Sequence, residues 1–307
     1  MDLVIQAERL PVAGETLLAN GGYVMTPGGK GANQAFAVGR LGGAVAMVGR
    51  VGDDPAGREL KDNLRSVGVD VARVTDDAET STGLASIIVD PAGQNSILVA
   101  AGANARLAPD DVEAASPLFE EADTLLAQLE VPLATVENAL HRAKSASMTT
   151  ILDPAPAPSH PLPESLMAEV DILTPNESEA RTLLGDSPGE IADSEAVEVA
   201  RRLRRLGPRN IILTLGDRGA LLMAANGEKV AIPAPRVEAC DTTAAGDVFN
   251  AALAVALTEG GTLPEAVGFA CTAAALAVTR AGAQSSVPQR SEVDGLLRDM
   301  RRDITAR

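Results

Sequence analysis

Apolar runs alternate with segments of helical period along most of the chain. Short runs rich in Val, Ile and Leu are typical of strands buried on both faces, and apolar residues three or four positions apart indicate helices. This criterion predicts strands at 45–48, 124–128, 149–152, 172–174 and 211–215. It predicts helices at 32–41, 57–67, 133–145, 177–184, 194–206, 245–257, 263–279 and 291–301. The alternation predicts an α/β fold in which helices cover both faces of a mainly parallel sheet.

Two segments break this alternation. Residues 3–28 and 81–101 have the pattern of short strands separated by Gly and Pro turns, with no helix between them. They predict a small β-sheet outside the main sheet, which we call the lid. Such a lid could cover a site, pair with another subunit, or do both. The Pro-rich stretch 154–163 is short, and we interpret it as a surface loop rather than a domain boundary.

Composition then limits the class of protein. With 307 residues, 46% of them hydrophobic, the chain can bury a full core as one large domain or two smaller ones. A formal net charge of −16, with one Tyr and four Phe, argues against nucleic-acid binding, which favours basic faces and stacking aromatics. The longest apolar run, 266–278, is shorter than the roughly 20 residues that span a bilayer. Residues 1–11 lack the features of a secretory signal, so we expect a cytoplasmic protein that binds neither nucleic acid nor membrane.

The few cysteines and histidines narrow the chemistry. Cys240 and Cys271 cannot build a disulfide framework or a cysteine metal knuckle, and His141 and His160 cannot supply the usual zinc site. An enzyme of this composition would depend on carboxylates, backbone amides and Lys or Arg. An anionic substrate would meet long-range repulsion from the negative net charge.

A cluster of glycines at 28–35, with the sequence GGKGANQA, leads from the predicted lid into a helix. Glycine lets the backbone approach a ligand closely, while the charge of Lys30 and the amide of Asn33 can bind hydroxyl groups. The segment is not a Walker A loop, because Gly follows Lys30, and the chain contains no GxGxxG dinucleotide motif. The competing interpretation is a tight turn that caps a helix.

Small residues open a second helix in the segment DTTAAGDVFN, residues 241–250. Free backbone N–H groups at a helix start, unobstructed by side chains, form a hole for an anion such as a phosphoryl group under transfer. Asp247, in the first turn, would lie beside that hole and could accept a proton from an attacking hydroxyl. The alternative is structural: Asp241 or Thr242 is an N-cap, and Asp247 favours the positive end of the helix.

Other polar residues follow predicted strands. Asn176 and Glu179, in TPNESE, have the spacing of a capping box. They also lie at the carboxyl edge of a parallel sheet, where ligands bind, and could orient a hydrated Mg²⁺ and phosphates. Glu130, in QLE, and the segments 101–104 and 214–219 are weaker candidates, each of which could be a solvated strand end or a turn.

Eight segments occur in an order that resembles the ribokinase branch of the PfkB family of sugar kinases. They are GGKGANQA, AGAN, QLE, DPAPA, TPNESE, TLGDRG, DTTAAGDVFN and GAQSSVP, within residues 2–287. The resemblance implies a single domain over residues 1–307, folded as a three-layer α-β-α sandwich with a β lid at about 3–28 and 81–101. It implies an ATP-dependent kinase that phosphorylates the 5-hydroxyl of D-ribose. Mg²⁺, K⁺ as a monovalent activator and a homodimer contact through the lid belong to the same expectation.

The resemblance also implies roles for individual residues. The residues expected to hold the sugar are Asp2, Gly29, Lys30, Asn33, Glu130 and Asp247. Asp247 is expected to be the catalytic base, and the anion hole is expected from Ala245, Gly246 and Asp247. Asn176 and Glu179 are expected to act on phosphate and magnesium. The expected adenosine side is Thr214, Leu215, Gly216, Asp217, Arg218 and Gly219, with Cys271 near the adenine. The expected K⁺ ligands are Asp241, Thr243, Ala277, Arg280, Gly282 and Ser286.

The sequence departs from the family pattern at several positions. The family's first core strand ends in a Gly-Ser-x-Asn-x-Asp motif, and this sequence begins at about the final Asp, Asp2; we expect an upstream start that restores the strand and its sugar-binding Asn. Cys271 stands where the family often has His, Asp153 where Asn is common, and Ser285 where Pro is common.

Two other interpretations of function stay open. The acceptor could be deoxyribose, a fructose-type sugar or a nucleoside. Sugars that differ by one hydroxyl are distinguished by the exact placement of side chains, and sequence motifs do not fix that placement. Alternatively, the chain could be a truncated, non-catalytic protein that binds a sugar or a nucleotide.

Overall fold

The strands and helices lie close to the positions that the hydrophobic pattern predicts. The structure, a computed structural model, describes residues 1–19, 21–158 and 160–305. In these residues the strands are β1 (Asp2–Gln6), β2 (Tyr23–Thr26), β3 (Ala46–Gly52), β4 (Asp70–Asp77), β5 (Leu84–Val89), β6 (Asn95–Ala100), β7 (Thr124–Ala127), β8 (Thr149–Leu152), β9 (Ile172–Leu173), β10 (Asn210–Thr214), β11 (Ala220–Met223) and β12 (Lys229–Ile232). The helices in the same residues are α1 (Lys30–Arg40), α2 (Pro55–Arg65), α3 (Pro109–Ala114), α4 (Ser116–Glu121), α5 (Leu133–Ser145), α6 (Glu164–Ala168), α7 (Glu177–Leu183), α8 (Asp193–Arg204), α9 (Ala245–Thr258), α10 (Leu263–Ala277) and α11 (Arg290–Thr305). Every predicted core strand and helix is present, with ends that differ by a few residues.

The central sheet has six strands in the order β12-β11-β10-β9-β8-β7. Strands β7 to β10 run parallel, and β11 and β12 are added antiparallel at one edge. Strands β3 and β4 form a separate parallel pair. Within the described residues no strand ladder joins β3 to β7. The mainly parallel sheet is confirmed, with an antiparallel edge and a break that the pattern did not predict.

Successive side chains of the central strands enter two different apolar clusters. Ile151 of β8 is fully buried in a cluster that includes Leu253 of α9. Its neighbour Leu152, equally buried, belongs to a cluster that includes Leu140 of α5. Because adjacent residues of a strand point to opposite faces, helices must cover both sides of the sheet. The three-layer α-β-α sandwich is therefore confirmed.

The longest apolar run of the sequence forms most of α10. This helix packs beside α9, and most residues of both helices are buried, many of them Ala. Small side chains let the two helix backbones approach closely. Among the residues that the structure describes, no helix combines the length and apolar character needed to cross a membrane.

The lid segments form a separate four-stranded sheet in the order β2-β1-β5-β6. Strands β1 and β5 pair in parallel at its centre, and β2 and β6 pair antiparallel at its edges. Both edge strands expose apolar side chains, including Tyr23 (67% exposed) and Leu98 (75% exposed).

The lid joins the core where residues 81–83 pass residues 101–102. Gly102 has φ of 54°, and a Cβ there would overlap the carbonyl oxygen of Ser81 and lie 2.8 Å from the nitrogen of Gly83. Thr82 fixes the junction to the core, since its hydroxyl accepts from the Gly52 N–H at 3.0 Å. Its own N–H donates to Asp54 at 2.8 Å. The close approach of the two chain segments therefore depends on glycine at position 102.

We expect Gly102→Ala to lower the free energy of unfolding by about 2–4 kcal/mol, because the new Cβ meets backbone atoms as well as an unfavourable φ. Gly93→Ala is the matched control: Gly93 has φ of 79° but open space around it. Backbone conformation alone should cost the control about 1 kcal/mol. Urea unfolding measures both, and equal losses in the two variants would contradict the close-approach argument.

Candidate active site

Polar side chains gather at the carboxyl ends of the parallel strands. Glu130 follows β7, Asp153 follows β8, Asn176 follows β9, and Thr214 ends β10. Asn176 and Thr214 form an isolated parallel bridge that extends the sheet by one step. This edge of an open parallel sheet is where ligands bind in such folds.

Helix α1 begins directly over this edge. Gly29, with φ of 92°, turns the chain into the helix, and the N–H of Lys30 donates to the Glu130 carboxylate at 2.8 Å. Burial lowers the pKa of Lys30, but the surrounding carboxylates, led by Asp247 and Asp153, raise it above its usual value. Lys30 is therefore a cation in a predominantly acidic pocket.

Asp2 lies against the same glycine segment. A Cβ on Gly28 would overlap the Asp2 carboxylate, so this approach needs glycine at position 28. Burial raises the pKa of Asp2, the charge of the chain's amino terminus lowers it, and Glu130 raises it further. Asp2, Lys30 and Glu130 thus form a group of donors and acceptors suited to a ligand rich in hydroxyls.

Asp247 lies in the first turn of α9 and is only 5% exposed. Its Oδ2 accepts from Asn33 Nδ2 at 2.9 Å, and its Oδ1 accepts from Gln34 Nε2 at 3.0 Å. The Asn33 oxygen in turn accepts from Gln284 Nε2 at 3.0 Å, which fixes the orientation of the Asn33 amide. Burial raises the pKa of Asp247, whereas the charge of Lys30 and the two amide hydrogen bonds lower it. The result is a carboxyl with a pKa above its usual range, in a fixed orientation.

The start of α9 presents backbone donors beside this carboxyl. Ala244 adopts the left-handed conformation with φ of 59°, which is strained for a residue with a Cβ. The Ala245 N–H donates to the Thr242 carbonyl at 3.2 Å. The N–H groups of Gly246 and Asp247 have no acceptor within the described part of the chain. Gly246 is exposed and faces open space, so an anion can reach this helix start.

The chemistry of this arrangement is proton transfer next to anion binding. A carboxylate can accept a proton from a hydroxyl held nearby, while free N–H groups at the helix start bind negatively charged oxygens. Of the three residues expected to form an anion hole, Gly246 and Asp247 offer free N–H groups, and the N–H of Ala245 also contacts the protein.

The residues expected to bind K⁺ come from two parts of the chain. Asp241 and Thr243 precede α9, and Ala277, Arg280, Gly282 and Ser286 lie at or after the end of α10. Asp241 accepts from the N–H groups of Thr243 at 2.9 Å and Gly282 at 2.8 Å. These hydrogen bonds, together with that from the Thr243 hydroxyl, outweigh burial and hold the pKa of Asp241 below its usual value. Ala277 ends α10, and Ser286 lies in a short 3-10 turn at residues 284–286. The Arg280 guanidinium pairs with Glu292, which leaves the backbone of Arg280 for a ligand.

The residues expected on the nucleotide side have structural partners as well. Asn176 and Glu179 form both hydrogen bonds of a capping box at the start of α7, at 2.8 and 2.9 Å. Burial raises the pKa of Glu179 despite these bonds. Arg218 pairs with Asp193 at 2.6 Å and with Glu177, so its guanidinium is engaged within the protein.

Thr214 ends β10 and the turn through Leu215, Gly216 and Asp217 to Gly219 follows it, beside a cavity of about 590 Å³. Cys271 is only 5% exposed within the apolar core, and burial raises the pKa of its thiol to about 12. The thiol therefore presents little surface to any ligand.

Three residues with contacts in the site carried no assigned role in the sequence analysis. They are Gln34, Asp153 and Gln284, and each is at least 94% buried. Gln34 adjoins Asn33 in the glycine-rich segment. Asp153 directly follows β8, and Glu130 and Asn176 come three residues after the ends of β7 and β9. The position after a core strand was the available signal for Asp153.

Comparison with known proteins finds a matching family, two similar curated proteins and a similar solved structure. The family described as pfkB family carbohydrate kinases matches residues 1–290. The chain is 41% identical to the ribokinase of Bacillus subtilis over 297 residues, 97% of this chain and 96% of the relative. It is 38% identical to a deoxyribokinase of Salmonella typhimurium over 288 residues, 94% and 92% of the two chains. The solved structure of Arabidopsis thaliana ribokinase, complexed with ribose and ATP, is similar with a TM-score of 0.87 and 33% identity, over 96% of this chain and 95% of the other.

Proposed function

The chain belongs to the pfkB family of carbohydrate kinases, and on that basis we propose that it transfers the γ-phosphoryl group of ATP to O5 of D-ribose. The product is D-ribose 5-phosphate. One observation carries the proposal: the buried carboxyl of Asp247 lies one residue from the free N–H of Gly246 at the start of α9. Base and anion-binding donors are thus held by the same rigid helix turn.

In this mechanism Asp247 accepts the proton of the 5-hydroxyl as O5 attacks the γ-phosphorus. A new O5–P bond forms while the bond from the γ-phosphorus to the oxygen of ADP breaks. The N–H groups of Gly246 and Asp247 bind the oxygens of the group under transfer, and Lys30 adds positive charge close to Asp247. Because the transition state of phosphoryl transfer is loose, positioning and charge neutralisation supply most of the catalysis.

The sugar would lie between the lid and the start of α1. We assign its hydroxyls to Asp2, Lys30 and Glu130, which share the acidic pocket over Gly28 and Gly29. Asn33, which donates a hydrogen bond to Asp247, would also contact the sugar.

Two cations complete the proposal. Glu179 is a half-buried carboxylate near Asp247 and Lys30, and with Asn176 it offers the oxygen ligands that Mg²⁺ prefers. The residues proposed to hold K⁺ are Asp241, Thr243, Ala277, Arg280, Gly282 and Ser286, several of them through backbone carbonyls, and oxygen donors of this kind fit a hard monovalent cation. When bound, both cations supply positive charge that offsets the charge of the ATP phosphates.

We expect Asp247→Asn to lower kcat for ribose by about 10³-fold or more, because an amide cannot accept the proton. A coupled ADP-release assay measures turnover, and calorimetry should still detect ATP binding. The control is Asp62→Asn, whose side chain is 74% exposed on α2 and which should keep full activity. A variant at position 247 with more than a tenth of the normal kcat would remove Asp247 from the role of base.

Deoxyribose is the rival acceptor, because the deoxyribokinase of Salmonella typhimurium is nearly as similar as the ribokinases. The same assay with ribose, deoxyribose, fructose and a nucleoside ranks the acceptors by kcat/KM. Binding of ribose without ADP release would instead favour a non-catalytic binder.

We expect activity to be lower in sodium-only buffer than in potassium buffer. Asp241→Asn should weaken this cation dependence, because it removes the one charged ligand of the proposed K⁺ site. Thr258→Val, at the far end of α9, is a control that leaves the cation response unchanged. Equal activity of the unaltered protein in sodium and potassium would overturn the assignment of K⁺.

We further propose that the lid forms a homodimer contact. All six residues of β6 are exposed, and the large apolar ones are Ile97, Leu98 and Val99. An exposed apolar edge strand is a ready surface for pairing with a second copy. In a two-fold dimer each substitution occurs twice, so a charge there acts on both subunits.

We expect Leu98→Glu to raise the dimer dissociation constant by about 10- to 100-fold, since it places like charges in an apolar interface. Val237→Glu, on an exposed loop outside the lid, serves as the matched control. Sedimentation velocity over a range of concentrations measures the shift. A monomer in the unaltered protein, or a dimer that the Leu98→Glu substitution leaves fully intact, would contradict the lid contact.

A further inference from the structure

Asp153 is a buried carboxyl that the proposed mechanism does not use. It is 5% exposed, and its N–H donates to the Ala127 carbonyl at 2.9 Å, which continues the pairing of β8 with β7. Among the described residues its carboxyl has a single hydrogen bond, from Gln34 Nε2 to Oδ2 at 2.8 Å. One bond from a neutral amide does not offset the cost of burying an ionised carboxylate.

Gln34 links this carboxyl to the proposed base. The nitrogen that donates to Asp153 also donates to Asp247 Oδ1 at 3.0 Å, and the Gln34 oxygen accepts from the Gln128 amide. An amide nitrogen has two hydrogens, and here both are used. A flipped Gln34 amide would lose all three hydrogen bonds, so its orientation is fixed.

The surroundings of Asp153 and Asp247 affect the pKa values of the two carboxyls differently. Burial raises the pKa of Asp153 well above its usual value, Asp247 and Glu179 raise it further, and Lys30 and the Gln34 hydrogen bond oppose them. The groups that act on it most strongly come from three facing elements: Gln34 and Lys30 from α1, Glu179 from α7 and Asp247 from α9. Asp247 has two amide donors where Asp153 has one. Of two coupled acids, the better stabilised one ionises first.

We propose that Asp153 is a positioning residue for phosphoryl transfer: as the neutral acid, it anchors the Gln34 amide that orients the Asp247 carboxylate. This inference rests on the proposed function, because it assigns Asp153 a task in the same reaction. Ionisation of Asp153 places a second negative charge beside Asp247 and the incoming phosphates, and it therefore lowers kcat as the pH rises.

The first test compares Asp153→Ala with Asp153→Asn. The Ala variant loses the anchor for Gln34, and we expect its kcat to fall about 10- to 100-fold with KM for ribose changed less than threefold. The Asn variant keeps a neutral acceptor for Gln34, so it should restore most of that loss. In the unaltered enzyme kcat should decline as the pH rises through the raised pKa of Asp153. In the Asn variant that decline should lie at least one pH unit higher.

The second test asks whether Asp153 acts through Gln34. The double variant Asp153→Ala with Gln34→Ala should be no slower than Gln34→Ala alone, because the anchor has nothing left to hold. Losses that multiply would overturn the proposal, as would an Asn variant no better than the Ala variant. An Asn variant whose kcat declines with rising pH just as in the unaltered enzyme would overturn it too.

A third measurement reads the neutral acid without catalysis. A carboxyl whose pKa is raised by folding binds more protons in the folded state, so it removes stability as the pH rises through the raised pKa. As the pH rises from 5 to 9, the melting temperature of Asp153→Asn should therefore increase relative to that of the unaltered protein. If ribose is not the substrate, the kinetic tests give no signal while this difference persists. A difference independent of pH overturns the neutral-acid assignment whatever the substrate.

Discussion

The burial of the Asp247 carboxylate between α1 and α9 is the constraint on which the site depends. A charged group this deep requires hydrogen-bond donors on every accessible side, and a nearby cation reduces the remaining cost. Asn33 and Gln34 provide the donors from one turn of α1, and Lys30, at the first position of the same helix, provides the charge. The two helices must therefore pack so that the start of each faces the other.

The same requirement explains how an acidic chain can bind phosphates. Many basic side chains are engaged in ion pairs within the protein, as Arg218 is with Glu177 and Asp193, and the acidic residues in excess of them give the net charge of −16. At the proposed site, positive charge comes from Lys30 and from the free N–H groups of Gly246 and Asp247 at the start of α9. In the proposed mechanism, anion binding there depends on backbone geometry and on one side chain rather than on the overall charge.

The fold was accessible from the sequence because buried parallel strands are written as continuous apolar runs. Lys30, Asn33 and Asp247 could likewise be named from their local patterns. Gln34 could not be given its role, because its partners Asp153 and Asp247 lie 119 and 213 positions away and meet it only in the folded chain. Nor does any local pattern show that the Arg280 guanidinium pairs with Glu292, or that the ladder between β3 and β7 is absent from the described residues. Those features depend on which segments become neighbours in space.

The composition of the lid also has a spectroscopic consequence. The chain has no Trp and a single Tyr, and that residue, Tyr23, lies on the lid strand β2 with 67% of its surface exposed. The absorption near 280 nm and the tyrosine fluorescence of the described chain therefore originate almost entirely from one phenol ring on the lid. Without any attached label, the fluorescence of Tyr23 therefore reports binding of a ligand or another subunit against β2.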